Sequence, residues 1–481
     1  MRSGAENRLL MIKEKVKRRF TGLMAPFIVG CALFMQMLDA TVLAVALPEM
    51  SKAFAVPVVE LNIAITAYLL AAAVFVPICG WAADQFGARR VFVAAIVVFT
   101  LSSLGCAQAG SPLELTGWRM VQGFGGAMMV PVGRLILLRT IPKHELLRAI
   151  SFLSMPALLG PLIGPPLGGF LVTYASWHWI FLMNLPIGLI GIWMSLKYIP
   201  AQTNELHRRK LDWVGFVLSA TCLATLVSAF ELLGQGRADL LSTAALIVIG
   251  ITAGWLYTSH ARRHPTPIID LGLLKISTFR ESVTGGTLCR FAVGSTPFLM
   301  AILLQVGFGM NALSAGLITF ASAAGSLLMK FVAPPILKRW GYRNVLMVNA
   351  VLTGTSMALC STFTANTPAL VMIAILLMAG FFRSLQFTSV NTLGFVDVPQ
   401  DKMSVASGFS AMMQQLGISL GVGIAASTIN LSQLIRGGEN LITTDIIVGF
   451  IVIGGCCALS VFSFRRLPLN AGDALRWRET P

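Results

Sequence analysis

The sequence predicts an all-α polytopic membrane protein with fourteen transmembrane helices, and three observations carry that expectation. Of 481 residues, 56% are hydrophobic and 12% are charged, and mean hydropathy is +0.78. Apolar runs of about 18 residues or more recur from end to end, the length that crosses a bilayer rather than fills a soluble core. Third, 28 of the 36 Lys and Arg residues fall in alternate segments that begin with the N-terminus. The opposite loops hold Lys52, Arg237 and Arg436, and Arg119, Arg134, Arg290, Lys330 and Arg383 lie within spans. That asymmetry places both termini in the cytoplasm and explains the net charge of +16 without nucleic-acid binding.

Taken in order, residues 1–22 form a basic tail, expected to be loosely ordered and to touch anionic lipid. Its basic start and Ala44-Val45-Ala46 resemble a signal peptide, but the run is too long and holds an acid, so no cleavage is expected. Residues 23–200 form a six-helix bundle with spans at 24–47, 61–82, 91–110, 114–138, 146–172 and 179–199. Residues 201–279 form a linker with two inserted spans, 213–233 and 240–260; Arg208-Arg209-Lys210 precede them, and Pro265 and Pro267 break helix after them. A second six-helix bundle occupies 280–465, with spans at 281–307, 314–337, 345–364, 368–395, 403–431 and 445–464, and 466–481 is a cytoplasmic tail. The eight cysteines lie in apolar spans without a CxxC pair and read as packing residues. Phe86-Gly87-Ala88-Arg89 recurs as Trp340-Gly341-Tyr342-Arg343, each time between the second and third span of a six-span block. Two duplicated halves with a midplane substrate site are a common transporter plan.

Asp39 is the one acid expected well inside a span, in the outer half of the first. A carboxylate in hydrocarbon is costly and rare without a task, so it is the candidate proton site. Arg119 in the fourth span lies near the same depth and is its candidate partner, whether for coupling or as a purely structural ion pair. Gln36, Gln122, Arg290 and Arg383 are candidate cargo-cavity residues. Arg290 and Arg383 fall mid-span with no second buried acid expected in the C-terminal half to pair with them. His178 sits between two Trp at the outer edge, an interfacial anchor before a proton relay, and Lys330, about two turns from the cytoplasmic edge, is expected to snorkel.

Seven stretches carry a family resemblance. Gly80-Trp81-Ala82-Ala83-Asp84-Gln85-Phe86-Gly87-Ala88-Arg89-Arg90 resembles the signature loop of the major facilitator superfamily. Gln85 and Ala88 replace two basic residues usual in that loop, which implies a weaker latch. Gly160, Gly164, Pro165, Gly168 and Gly169 fit the decapeptide that marks drug:proton antiporters there. Arg119-Met120-Val121-Gln122-Gly123 resembles the arginine-bearing motif of the fourth span. Leu38-Asp39-Ala40-Thr41 and Trp177 through Gly188 are similar to the fourteen-span EmrB/QacA branch, and Leu304-Gln305-Val306-Gly307-Phe308-Gly309 and Gln386-Phe387-Thr388 to its MdtD-type members.

The resemblance implies the major facilitator fold and proton-driven export of small organic molecules through the bacterial inner membrane. It implies a conformational latch at Gly80, Asp84, Gly87, Arg89 and Arg90. Two cargo readings stay open. One is multidrug efflux; the other is dedicated export of an anionic or zwitterionic metabolite, such as a siderophore or organic acid. An enzyme or sensor would call for clustered His/Asp ligands or an extramembrane domain, and the sequence displays neither; no phosphate-binding loop points to ATP. The expected partners are cargo, protons and the lipid bilayer, with no cofactor, no metal, no nucleic acid and a monomeric state.

Overall fold

The computed structural model describes residues 2–56, 58–200, 210–234, 239–310, 312–437 and 442–476, with most side chains described from Met24 onward. The side chains of the basic tail, of Arg208, Arg209 and Arg237, of Pro165, and residues 477–481 lie outside the described residues. Among those described, thirteen helices are long and apolar enough to cross a membrane. The expected fifth span lies in one further helix, Lys143–Tyr174, of 32 residues. The chain is an all-α polytopic membrane protein.

Helix α1 runs Arg2–Phe54 without a break. Its backbone therefore stays helical through the segment expected to be a loose tail. No Gly or Pro interrupts residues 5–21, and their Lys, Arg, Glu, Leu and Met are good helix formers. The second span is α2, Val58–Phe75, then a tight 3-10 turn at Val76–Ile78 around Pro77, then α3, Cys79–Phe86. The third is α4, Ala88–Gln108, and the fourth is α5, Pro112–Thr140, whose Ser111 accepts the Glu114 N–H as an N-cap. Next come α6, Lys143–Tyr174, the short α7, Trp179–Leu182, and α8, Asn184–Tyr198.

The inserted pair is α9, Trp213–Gly234, and α10, Leu240–Arg263. Then follow α11, Ser277–Ala301, which widens into a π turn at Ile302–Gly307, and α12, Ala312–Trp340. The remaining helices are α13, Tyr342–Leu359, α14, Ala369–Leu393, α15, Met403–Arg436, α16, Thr443–Phe464, and the short α17, Asp473–Arg476.

The chain divides into two compact units, one of Met1–Ala72 with Ala82–Arg208, the other of Ala73–Trp81 with Arg209–Pro481. In the first, α1 lies along α6, and α4 lies between α5 and α8. In the second, α12 pairs with α14, α13 with α16 and α11 with α15. The inserted pair belongs to this second unit, because α9 packs on α15: a Cβ on Gly423 would meet the Phe230 ring at 2.5 Å. Residues 73–81 also belong there, and a Cβ on Gly80 would meet the Ser404 carbonyl oxygen at 2.6 Å. Only a bare glycine permits that approach.

The repeated tetrapeptides sit at matching places. Gly87 (φ 88°) and Gly341 (φ 75°) both adopt the left-handed region that favours glycine, and each begins a helix. Arg89 donates to the carbonyl of Leu196 near the end of α8, at 2.5 Å, and Arg343 donates to the carbonyl of Arg465 just past α16, at 3.0 Å. In each half, an arginine in the first turn of the third span caps the sixth span's free carbonyls.

Candidate functional site

Asp39 is 2% exposed. Its Oδ2 accepts a 2.5 Å charge-assisted hydrogen bond from the Arg119 guanidinium. Its Oδ1 accepts from Gln122 Nε2 (3.1 Å) and from Asn184 Nδ2 (3.0 Å). Ser103 Oγ accepts from both amides, at 2.7 Å and 3.2 Å, which fixes their orientation. Arg119 donates a second bond to Gln122 Oε1 (2.6 Å) and lies over the Tyr68 ring, 4.5 Å from its centroid. The Tyr68 hydroxyl accepts from Gln36 Nε2 at 2.9 Å. Five spans thus join in one network around a carboxylate whose every described partner, from α5 and α8, is a donor. The negative form is the one this shell fits.

Sequence reasoning named Asp39, Arg119, Gln122 and Gln36 but not Ser103, Asn184 or Tyr68. Asn184 lies inside the Trp177–Gly188 stretch, so an amide within an otherwise apolar motif was the available signal. Gln122 is fully buried against Asp39.

The helix that carries Asp39 rests on the glycine stripe of α6. A Cβ on Gly160 would meet Met37 Cβ at 2.7 Å, one on Gly164 would overlap the Thr41 hydroxyl, and one on Gly168 would meet Val42 Cγ1 at 2.9 Å. Gly169 has nothing within 4 Å. Residues 160, 164 and 168 repeat every four positions and let the two backbones approach beside the acid. In the signature loop, Asp84 takes an ion pair from Arg139 of α5 at 2.8 Å, and Arg90 is exposed.

The second unit holds a small pocket whose lining includes Arg290, Arg383, Gln386, Asn391 and Cys289, with no carboxylate among its lining residues. Arg290 donates to Asn391 Oδ1 (3.2 Å) and Arg383 to Ser322 Oγ (2.7 Å). Within residues 280–465, Glu281 and Asp445 are nonetheless buried. Glu281 bonds Arg280 and Ser463, and Asp445 bonds Arg436 and Ser432, each within the first two turns of its helix.

Lys330 does not snorkel. It is 4% exposed and donates to Thr388 Oγ1 at 2.6 Å. Helix α12 continues to Trp340 through Pro334 and Pro335, which sets Lys330 deeper than expected, and α14 offers it a hydroxyl. His178 stacks on Trp177 with centroids 3.8 Å apart and bonds Ser176. No metal-ligand cluster was expected, yet Asp212, His260 and His264 bring ligand atoms within 4.8 Å of one another.

The family model described as "Major Facilitator Superfamily" matches residues 29–422. The chain belongs to the major facilitator superfamily. It is a multi-pass membrane transporter, not an enzyme, and small molecules are its substrates. Curated relatives named "Putative multidrug resistance protein MdtD" in Escherichia coli O6:H1 and in Shigella flexneri are each 37% identical over 449 residues, covering 92% of this chain and 94% of theirs. Among solved structures, the human organic anion transporter MFSD10 (TETRAN) aligns with TM-score 0.69 at 15% identity, covering 92% of this chain and 99% of that one. The proton:xylose symporter XylE aligns with TM-score 0.66 at 15% identity, covering 95% and 98%. These two likenesses are of fold.

Proposed function

We propose that the chain is a proton-coupled antiporter of the drug-efflux type, exporting small organic molecules by alternating access. It works as a monomer in the bacterial inner membrane with both termini cytoplasmic, and Asp39 is its proton-binding group. The observation that carries this reading is the sealed shell of Arg119, Gln122 and Asn184 around one intramembrane carboxylate. The name of the MdtD relatives supports drug efflux, and the Lys/Arg asymmetry supports the orientation.

This reading implies a mechanism. A proton on Oδ2 removes the acceptor that Arg119 uses at 2.5 Å and sets donor against donor. Arg119 must then swing away, and among the described residues its Nε already has no acceptor. Removing that bond frees α1 to shift along the glycine stripe of α6, which turns a proton into helix motion. Release of the proton restores the pair. Everted vesicles with an imposed pH gradient test the reading: cargo uptake should follow the gradient and vanish in a variant that cannot titrate at residue 39.

A second reading concerns cargo, and the pocket with Arg290 and Arg383 but no carboxylate favours it. Lipophilic dications are served by acidic cavities, whereas two guanidiniums suit a carboxylate or phosphate group. In this reading the preferred cargo is an anionic or zwitterionic metabolite, with drug efflux incidental.

A further inference from the structure

The inserted helix pair carries a cluster that the transport reading does not use. Asp212 stands at the start of α9; its Oδ1 accepts the Gly215 N–H (2.8 Å) and lies 2.8 Å from His260 Nε2 near the end of α10. His264 follows one turn later and stacks on His260, ring centroids 5.2 Å apart. Its Nδ1 takes a long 3.3 Å contact from the Thr266 amide, which an ion at that ring would outcompete. The ligand atoms of all three residues lie within 4.8 Å of one another. A second observation points at a missing ligand: the Asp212 side chain is 2% exposed, yet among the described residues its Oδ2 has no hydrogen-bond partner. A buried carboxylate oxygen left without a donor is costly and uncommon.

We propose that Asp212, His260 and His264 bind a divalent transition-metal ion of the zinc class. Two imidazoles one helical turn apart give a two-point chelate, and the carboxylate of a neighbouring helix supplies a third bond. Metal–ligand bonds of about 2.0–2.1 Å put tetrahedral ligands about 3.4 Å apart, so small rotations of the two histidines close the present spacing. The fourth position faces outward, because both histidines are half-buried.

The ligand chemistry selects against hard cations. Calcium and magnesium call for six or more oxygens, and exposed Lys210, Arg262 and Arg263 nearby disfavour an ion held by charge alone. The ion would clamp the start of α9 to the end of α10. The linker beyond is tied in turn, since Asp270 pairs with Lys402 just before α15 at 2.8 Å.

The test is zinc binding to the full-length purified protein without a histidine tag, stripped with chelator and titrated in detergent. The wild type is expected to take up one zinc per chain. The substitution His264→Gln leaves the Asp212–His260 bond and the α9 cap in place, and it should weaken zinc at least about tenfold, the smaller loss seen even for second-shell partners. Its unfolding temperature without metal should be unchanged. Adding His260→Gln should abolish the site, and cobalt in the wild type should give the visible bands of tetrahedral coordination that the double variant lacks. Equal zinc uptake by the wild type and the double variant, or no uptake by either, overturns the proposal.

Discussion

Replacing Asp39 by Asn separates the two tasks of the buried pair. Asparagine keeps the shape, and its Oδ1 can still accept from Gln122 and Asn184, which now reach the carboxylate at 3.1 Å and 3.0 Å. Its amide, however, faces the Arg119 guanidinium that today donates at 2.5 Å, so donor meets donor and a guanidinium is left buried without its counter-charge. Both side chains are 1% exposed, and breaking such a pair from one side costs about 3–5 kcal/mol. The low end applies here, because Arg119 keeps Gln122 Oε1 at 2.6 Å and the Tyr68 ring at 4.5 Å. The double variant Asp39→Asn/Arg119→Gln removes both charges and should recover most of that stability. Thermal unfolding in detergent reads the first effect; gradient-driven transport in vesicles reads the second. Transport should stay at background in both variants. If the double variant transports as well as the wild type, the pair is a brace and the proton role is wrong.

The glycine stripe makes a contrast. Gly164→Val drives a side chain into Thr41 and should cost about 1–3 kcal/mol with a loss of transport, whereas Gly169→Ala, with nothing within 4 Å, should alter neither thermal unfolding nor uptake. For cargo, Arg290→Ala or Arg383→Ala should reduce transport of anionic compounds more than that of matched neutral and cationic ones; equal loss of all three with falling expression would leave the arginines as braces. For orientation, reporters fused at residue 1, within 200–211 and at residue 481 should all read cytoplasm, and a periplasmic signal at Pro481 would mean an odd number of crossings.

The bundle was legible because each span must satisfy its backbone alone, which forces long apolar runs into the sequence. Asp39 and Arg119 were legible for a related reason: charges in such runs are rare, and matched depth implies contact. Among their neutral neighbours, Ser103 and Tyr68 left no comparable trace. Both are ordinary residues within spans, and only helix rotation decides whether they face the buried pair or lipid. Lys330 was misread because its distance from the membrane edge was taken from the span's hydropathy, while α12 runs on to Trp340. The Asp212–His260 contact joins residues 48 apart across a helix hairpin, beyond any local spacing rule. His260 and His264 did carry a visible one-turn spacing.

The most direct test of the central claim is proton movement evoked by cargo. Proteoliposomes loaded with a pH-sensitive dye and holding a pH gradient would be exposed to a panel of anionic, zwitterionic and cationic compounds. The wild type should dissipate the gradient when a transported compound is added, in proportion to the compound moved, and the Asp39→Asn/Arg119→Gln variant should leave it intact. Transport by the wild type with no accompanying proton flux would contradict the account, whatever the cargo.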